Sequence, residues 1–291
     1  MQGAEPIDTI IAEQREGIVA MSWQVREVPP SVDGSSCHVA GLDVHYLRKG
    51  HGPVLVHLHD SLGNWGWLPL YERLAEDFDV IVPDLPGYGE SQRPEWARHP
   101  RDLAIVVLQL LDRLGIERVL LSGIGLGGWL AAEMATMRQR SIERLVLVAP
   151  AGIKPRVGEI ADQMLRGPLR FGLGGFRDAE SFRQLFAIDR DEVDDVPDAL
   201  YTMWDFSTEM TARIVWKPWM FSLELPHLLR GVAVPATVVW GACDELFPLD
   251  CGRQYVEVLA DARLEVVAGA GHWIDLEAPE AVIAALSGGS A

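Results

Sequence analysis

The chain has 291 residues and a formal net charge of −17. Its length suits one α/β domain with a large core, and its acidity argues against nucleic acid and anionic membranes as partners, because both select basic surfaces. No apolar run approaches the roughly 18 residues of a membrane span. The three cysteines have neither disulfide nor metal-ligand spacing. We therefore expect a cytoplasmic protein with no metal and no cofactor, acting on a small-molecule substrate or ligand; the sequence leaves the oligomeric state open.

In chain order, residues 1–34 are predicted to be a partly helical N-terminal extension. Ser36–Val39 and Val44–Leu47 follow as an antiparallel hairpin. Short runs rich in Val and Leu then alternate with amphipathic segments, which is typical of parallel strands connected by helices. The predicted strands are Val54–His59, Val80–Val82, Val119–Leu121, Leu145–Val148, Ala236–Trp240 and Leu264–Val267. The predicted helices are Leu68–Ala75, Asp102–Leu114, Leu126–Arg138, Cys251–Leu259 and Pro279–Leu286.

This alternation stops between residues 152 and 232. About 80 residues inserted between two strands predict a mostly helical cap over the carboxyl ends of the parallel strands, where open α/β sheets bind ligands. Within that segment, Gly172–Gly175 is predicted to form turns. The predicted organisation is an N-terminal extension (1–34), an α/β core (35–151 and 233–291) and a cap (152–232).

One glycine-rich segment joins a predicted strand to a predicted helix, and two motifs compete for it. Gly123, Gly125 and Gly128 satisfy G-x-G-x-x-G, the dinucleotide fingerprint. That motif also requires an acidic residue at the end of the next strand, and Leu145–Val148 is followed by none. The alternative is the G-x-S-x-G nucleophile elbow, in which Gly125 stands where the motif has its nucleophile.

Three further segments favour the elbow and occur in the matching order. Residues 59–63 (HDSLG) resemble the HG-x-x-G oxyanion loop, and residues 84–91 (DLPGYGES) resemble the D-x-x-G-x-G-x-S turn. Residues 240–244 (WGACD) and 271–273 (GHW) resemble the late loops that carry the acid and the base. From Val39 to Leu286 the chain resembles the capped α/β hydrolases, similar to their esterase, C–C hydrolase and haloperoxidase-like members. The resemblance implies a mostly parallel central sheet flanked by helices.

The same resemblance implies the site residues. It gives Asp244 as the acid, His272 as the base, and Ser61 with the backbone N–H of Leu126 at the oxyanion positions. Trp65 and Trp129, close to the two loops, are predicted pocket walls.

Two positions depart from the family pattern. Gly125 has no side chain, so no acyl-enzyme can form there. Asp60 replaces the usual glycine beside the oxyanion hole, where a carboxylate opposes developing negative charge unless it is protonated or paired. We count Asp60 with His272 and Asp244 as a candidate catalytic residue; the alternative is a loop residue turned toward water.

Three hypotheses follow. The favoured one is an enzyme without covalent catalysis, in which a His272–Asp244 dyad acts as general base on a small, largely apolar carbonyl-type substrate, by lyase, cyclisation, C–C bond or water-activating chemistry. The second is a noncatalytic protein that binds a small ligand or a partner, since glycine adopts the strained elbow conformation without penalty. The third is a Ser-to-Gly variant of an active ester or C–C hydrolase.

Overall fold

A computed structural model describes residues 32–178, 180 and 198–288, with the side chains of 198–200 left undescribed. Residues 1–31 of the predicted extension, and residues 179 and 181–197 of the predicted cap, lie outside the described residues. The first strand begins at Gly34 and Val32 is already buried, so the ordered core starts slightly earlier than the sequence predicts.

The architecture is a single eight-stranded sheet in the order β1-β2-β4-β3-β5-β6-β7-β8. The pairings of β1 with β2 and of β2 with β4 are antiparallel, and all the others are parallel. The strands are β1 (Gly34–Val39), β2 (Leu42–Gly50), β3 (Val54–Leu58), β4 (Asp79–Pro83), β5 (Val119–Ile124), β6 (Ile142–Val148), β7 (Ala236–Gly241) and β8 (Ala262–Val267). The predicted fold class is confirmed.

Helices connect these strands and bury their apolar sides against the sheet. They are α1 (Pro69–Leu74), α2 (Pro100–Arg113), α3 (Leu126–Arg138), α4 (Gln163–Arg166), α5 (Pro168–Gly175), α6 (Asp198–Val215), α7 (Leu225–Leu229), α8 (Leu249–Val258), α9 (Ile274–Glu277) and α10 (Pro279–Ser287). Among the described residues, no helix has the length and apolar character needed to cross a bilayer.

The segment between β6 and β7 contains α4, α5, α6 and α7. The prediction of turns at Gly172–Gly175 is wrong, because these residues form the second half of α5. Close packing explains the glycines: a Cβ on Gly175 would lie 2.1 Å from Trp273 Nε1. Because Trp273 follows His272 directly in the chain, α5 packs against the loop that carries the predicted base.

Candidate active site

The predicted site residues meet at the carboxyl edge of the sheet. Asp60 follows β3, Gly125 follows β5, Asp244 follows β7 and His272 follows β8. Parallel strands deliver the residues after their carboxyl ends to one edge of a sheet, so four distant parts of the chain converge.

Gly125 forms the sharp turn between β5 and α3, with φ 53° and ψ −115°. A residue with a side chain is strained in this conformation, whereas glycine adopts it freely. The adjacent space is already taken, because a Cβ built on Gly125 would lie 2.0 Å from Asp60 Oδ1 and 2.3 Å from Asp60 Cγ. The carboxylate of Asp60 therefore occupies the position into which a side chain at residue 125 would project.

Asp60 is buried and has partners on both carboxylate oxygens. Its Oδ1 accepts a hydrogen bond of 2.6 Å from the backbone N–H of Leu126, the first residue of α3. Its Oδ2 lies 3.4 Å from His272 Nε2 and accepts a 3.4 Å contact from Ser61 Oγ. The backbone donor that the resemblance assigns to the oxyanion hole is thus engaged by a carboxylate.

His59 fixes the loop that carries Asp60. Its Nε2 accepts the backbone N–H of Leu85 at 2.9 Å, which places the ring proton on Nδ1, and Nδ1 donates to the carbonyl oxygen of Asp60 at 2.7 Å. Burial lowers the pKa of His59, so the ring stays neutral and retains this tautomer. His59 acts by positioning Asp60.

His272 lies between two carboxylates. Its Nδ1 is 2.9 Å from Asp244 Oδ2, while its Nε2 faces Asp60. Asp244 is held by its own turn, since Oδ1 accepts the backbone N–H groups of Leu246 and Phe247 at 2.8 and 2.9 Å. Burial alone would lower the pKa of His272, but the charges and hydrogen bonds of Asp244 and Asp60 raise it to about 10. The imidazole is therefore protonated near neutral pH.

Two aromatic rings hold the imidazole in place. The ring of Phe247 stacks on His272 with centroids 5.1 Å apart, and the ring of Trp273 meets it edge-on at 5.0 Å. Trp273 Nε1 donates to the carbonyl oxygen of Gly172 in α5. The side chain of His272 is completely buried, so the dyad and its surroundings exclude solvent.

Helix α6 covers the Asp60 loop from the other side. Thr211 Oγ1 donates to the carbonyl oxygen of Ser61 at 3.0 Å and lies 2.8 Å from the hydroxyl of Tyr88. Gly63 approaches α6 so closely that a Cβ there would lie 2.8 Å from Ser207 Oγ. Elements inserted between β6 and β7 thus contact both loops of the site.

A cavity of about 20 Å³ lies beside Asp60. Its lining comprises His59, Asp60, Gly63, Trp65, Leu68, Tyr71, Ile124, Trp273 and Asp275. Trp65 forms part of this wall. Trp129 does not: its indole N–H donates to Glu133 at 3.1 Å and its ring packs edge-on against His99. Of the two predicted pocket walls, the structure brings only Trp65 to the cavity.

Comparison with known proteins places the chain in a family. The profile of the alpha/beta hydrolase family matches residues 54–285, which cover most of the chain. The protein is a member of the alpha/beta hydrolase family. A 2-hydroxymuconate semialdehyde hydrolase of Pseudomonas sp. is 28% identical over 259 residues, covering 84% of this chain and 89% of the relative. An uncharacterized protein of Mycobacterium tuberculosis is 26% identical over 274 residues, covering 86% and 78%.

A solved structure agrees with this hydrolase fold. A 2-hydroxy-6-oxo-6-phenylhexa-2,4-dienoate hydrolase of Rhodococcus sp. superposes with a TM-score of 0.72 at 22% identity, covering 89% of this chain and 98% of that one. At this level of identity the likeness concerns the fold alone.

The sequence reasoning missed two residues of this candidate site, Asp275 and Tyr71. Asp275 lies in the cavity wall and is only 7% exposed. Its position three residues after His272, between the apolar residues Ile274 and Leu276, was the available signal. Tyr71 of α1 resembles an ordinary apolar-face residue of an amphipathic helix.

The described residues contain no group of three or more His, Cys, Asp or Glu side chains arranged to hold a metal ion. The cysteines at 37, 243 and 251 are all free.

Proposed function

We propose that this member of the family is an enzyme without a serine nucleophile, which transfers protons at a small, neutral carbonyl compound through Asp60, His272 and Asp244. One observation carries the proposal: the carboxylate of Asp60 fills the space beside Gly125 and bridges the Leu126 N–H and His272 Nε2. A carboxylate that takes the place of the nucleophile and pairs with a His–Asp dyad can accept protons from a substrate and donate them back.

The geometry disfavours acyl-enzyme chemistry. Gly125 offers no oxygen, and the Leu126 N–H that would stabilise an oxyanion is already bonded to Asp60. An oxyanion hole works through donors aimed at developing negative charge, and here a carboxylate occupies the donor.

The catalytic roles proposed for these residues differ from those of the sequence hypothesis, in which His272 is the general base. With its pKa raised to about 10 by the two aspartates, His272 already carries a proton at neutral pH. The proton acceptor is then Asp60, whose negative charge the imidazolium stabilises. Asp244 orients the imidazole and keeps it charged, as its Nδ1 contact allows.

The resulting reaction conserves protons. Asp60 takes a proton from a carbon or oxygen atom of the substrate, and the adjacent imidazolium stabilises the enolate or alkoxide that forms. Asp60 then returns the same proton to another atom of the intermediate. In a C–C cleavage, Asp60 instead takes the proton from a water that adds to the carbonyl carbon, and it returns that proton to the carbon that leaves when the C–C bond breaks. A positioned acid–base group of this kind contributes roughly 10²–10⁴-fold to a rate.

The cavity lining supports a neutral substrate. It contains two aspartates and, among the described residues, no lysine or arginine. Two of the hydrolases reported above are named for a hydroxymuconate semialdehyde and for a dienoate, and both of these compounds carry a carboxylate. A carboxylate on the substrate would be repelled by Asp60, so we expect carbonyl chemistry akin to theirs on an uncharged compound. Helices α4–α7 would serve as the cap that keeps water away from it.

A second candidate, a noncatalytic ligand- or partner-binding protein, is favoured by the size of the cavity. About 20 Å³ holds one water molecule and no carbonyl compound, so catalysis requires the Asp60 loop or α6 to move. The third hypothesis, a serine hydrolase changed only at residue 125, is disfavoured because Asp60 lies where the serine Cβ would be.

The test is a cleavage and proton-exchange assay with benzoylacetone, a neutral diketone, alongside 2-hydroxymuconate semialdehyde as the anionic comparison. We expect deuterium exchange or C–C cleavage of the diketone by the parent protein, at least roughly 100-fold lower in Asp60→Ala and His272→Ala. Asp77→Asn, at an exposed carboxylate, is the matched control and should keep full activity. Turnover that survives in both site variants, or a parent protein inert toward both compounds, would favour the noncatalytic candidate.

A further inference from the structure

Asp275 is a carboxyl group of the cavity wall to which the proposed function assigns no proton transfer. It follows His272 in the short helix α9 and is 7% exposed. Its Oδ1 is buried and has no hydrogen-bond partner among the described residues. A buried carboxyl oxygen without a hydrogen-bond partner lowers the stability of the fold. Such a group beside a cavity indicates a site where the oxygen carries a proton or bonds to a bound molecule.

The surroundings of Asp275 favour its neutral form. Burial is the main influence and raises the pKa of Asp275 to about 7; the cation of His272 opposes this, and the anion of Asp60 reinforces it. Backbone N–H groups of Asp275 and Leu276 donate to its carboxylate and lower its pKa slightly. The remaining titratable groups in the cavity wall are His59, held neutral, and Tyr71, whose pKa burial raises well above its usual range.

Asp60 and Asp275 line the same cavity but have different partners. Asp60 is bonded to a backbone N–H and lies beside His272. Among the described residues, no ion pair joins the carboxyl group of Asp275 to a cation. Two carboxyl groups in unlike environments are the arrangement from which acid and base roles arise.

We propose that Asp275 is the proton donor of this site: it protonates the carbonyl oxygen of the substrate, while Asp60 removes a proton from a water or from the substrate. The inference rests on the proposed function and adds a residue to it. The substrate class narrows accordingly to compounds whose carbonyl oxygen gains a proton while another atom loses one: carbonyls that undergo hydration or enolisation.

The proton transfers balance. In a hydration, Asp60 removes a proton from the attacking water, the water oxygen bonds to the carbonyl carbon, and Asp275 gives its proton to the carbonyl oxygen. The cycle closes when the proton on Asp60 passes to Asp275 through a water in the cavity, which is large enough for one. His272 keeps its proton throughout, because a group with a pKa of about 10 is a poorer acid at neutral pH than one titrating near 7.

The first experiment needs no substrate. Carbon NMR of protein labelled at the aspartate carboxyls should show one group titrating near pH 7. That signal should disappear in Asp275→Asn, persist in the control Asp77→Asn, and move to lower pH in Asp60→Asn, since the neighbouring negative charge is gone. An Asp275 signal that titrates in the ordinary range, or one that ignores Asp60→Asn, would overturn the inference whatever the activity of the protein.

The second experiment is a pH profile of benzoylacetone turnover. A proton donor is active when protonated, so the activity of the parent should fall as pH rises through about 7. Asp275→Asn should lower the rate below that pH by about 100-fold and abolish this limb of the profile. An unchanged rate and profile in Asp275→Asn would refute the donor role. A parent without turnover would refute the proposed function, and the NMR titration would still decide whether the two carboxyl groups are coupled.

Discussion

Gly125 and Asp60 compete for one space, and a double-mutant cycle measures that competition. In Gly125→Ala the new Cβ would lie 2.0 Å from Asp60 Oδ1, so the carboxylate must leave. The backbone strain costs roughly 1–3 kcal/mol. Losing the hydrogen bond between the Leu126 N–H and a charged oxygen costs about 1.5–3 kcal/mol more. We expect Gly125→Ala to lower the free energy of unfolding by about 3–5 kcal/mol.

In an Asp60→Ala background the same change should cost only the backbone strain, roughly 1–3 kcal/mol. The coupling between the two positions is then about 2–3 kcal/mol, measured by denaturant unfolding of the four proteins. Gly115→Ala is the matched control, since Gly115 also has a positive φ of 71° but no neighbour within 4 Å of its Cβ position. Losses that add to within about 0.5 kcal/mol would show that Asp60 does not fill the space beside residue 125.

Three further outcomes can be checked. A fluorophosphonate should leave the site unlabelled, as read by intact mass, because Gly125 has no oxygen and Ser61 and Ser122 are completely buried; labelling of either serine would reveal a relocated nucleophile. His272 has a pKa raised from 6.5 to about 10, so its stabilising contribution is complete below about pH 6.5 and is lost as pH rises toward 10. Unfolding free energies should therefore decline over that range more steeply in the parent than in His272→Gln, and equal slopes would contradict the ion pairs. Gly175→Ala should lower the melting temperature, because its Cβ meets Trp273; an unchanged melting temperature would mean that α5 does not press on this loop.

The fold could be predicted from the sequence because buried parallel strands are short runs rich in Val and Leu, which the sequence shows directly. Helix α3 begins and ends where predicted, at Leu126 and Arg138. The strands were predicted too short where polar or small residues continue a buried strand: β5 extends through Ser122 and Gly123 to Ile124. Ser122 remains buried because its hydroxyl meets His57 of the adjacent strand at 3.2 Å. Hydropathy cannot anticipate a pairing between residues 65 positions apart.

The candidate site was predictable only as a set of positions. Motif order located Asp60, Gly125, Asp244 and His272, which the structure brings together at one edge of the sheet. The orientation of Asp60 was beyond the sequence, because it depends on the His59 hydrogen bonds that fix its loop. The alternative of an Asp60 side chain turned toward water fails on that geometry.

The charges of Asp60, Asp244, His272 and Asp275 depend on one another because all four side chains are buried close together. Asp60 and Asp244 are each held by backbone N–H groups, which compensate their burial, and they share the single positive charge of His272. With both aspartates ionised and His272 protonated, the three side chains already carry a net charge of −1. Ionising Asp275 would bring the buried total to −2 without adding a cation, and low-dielectric surroundings make each unbalanced charge expensive.

Burial is the main cause of the raised pKa of Asp275, and the negative charge of Asp60, which fills the space beside Gly125, reinforces it. A substitution that neutralises Asp60 should make Asp275 easier to ionise, and one that removes His272 should make it harder. Asp60, His272 and Asp275 thus form one electrostatic arrangement, in which a change of charge at Asp60 or His272 alters the protonation of Asp275.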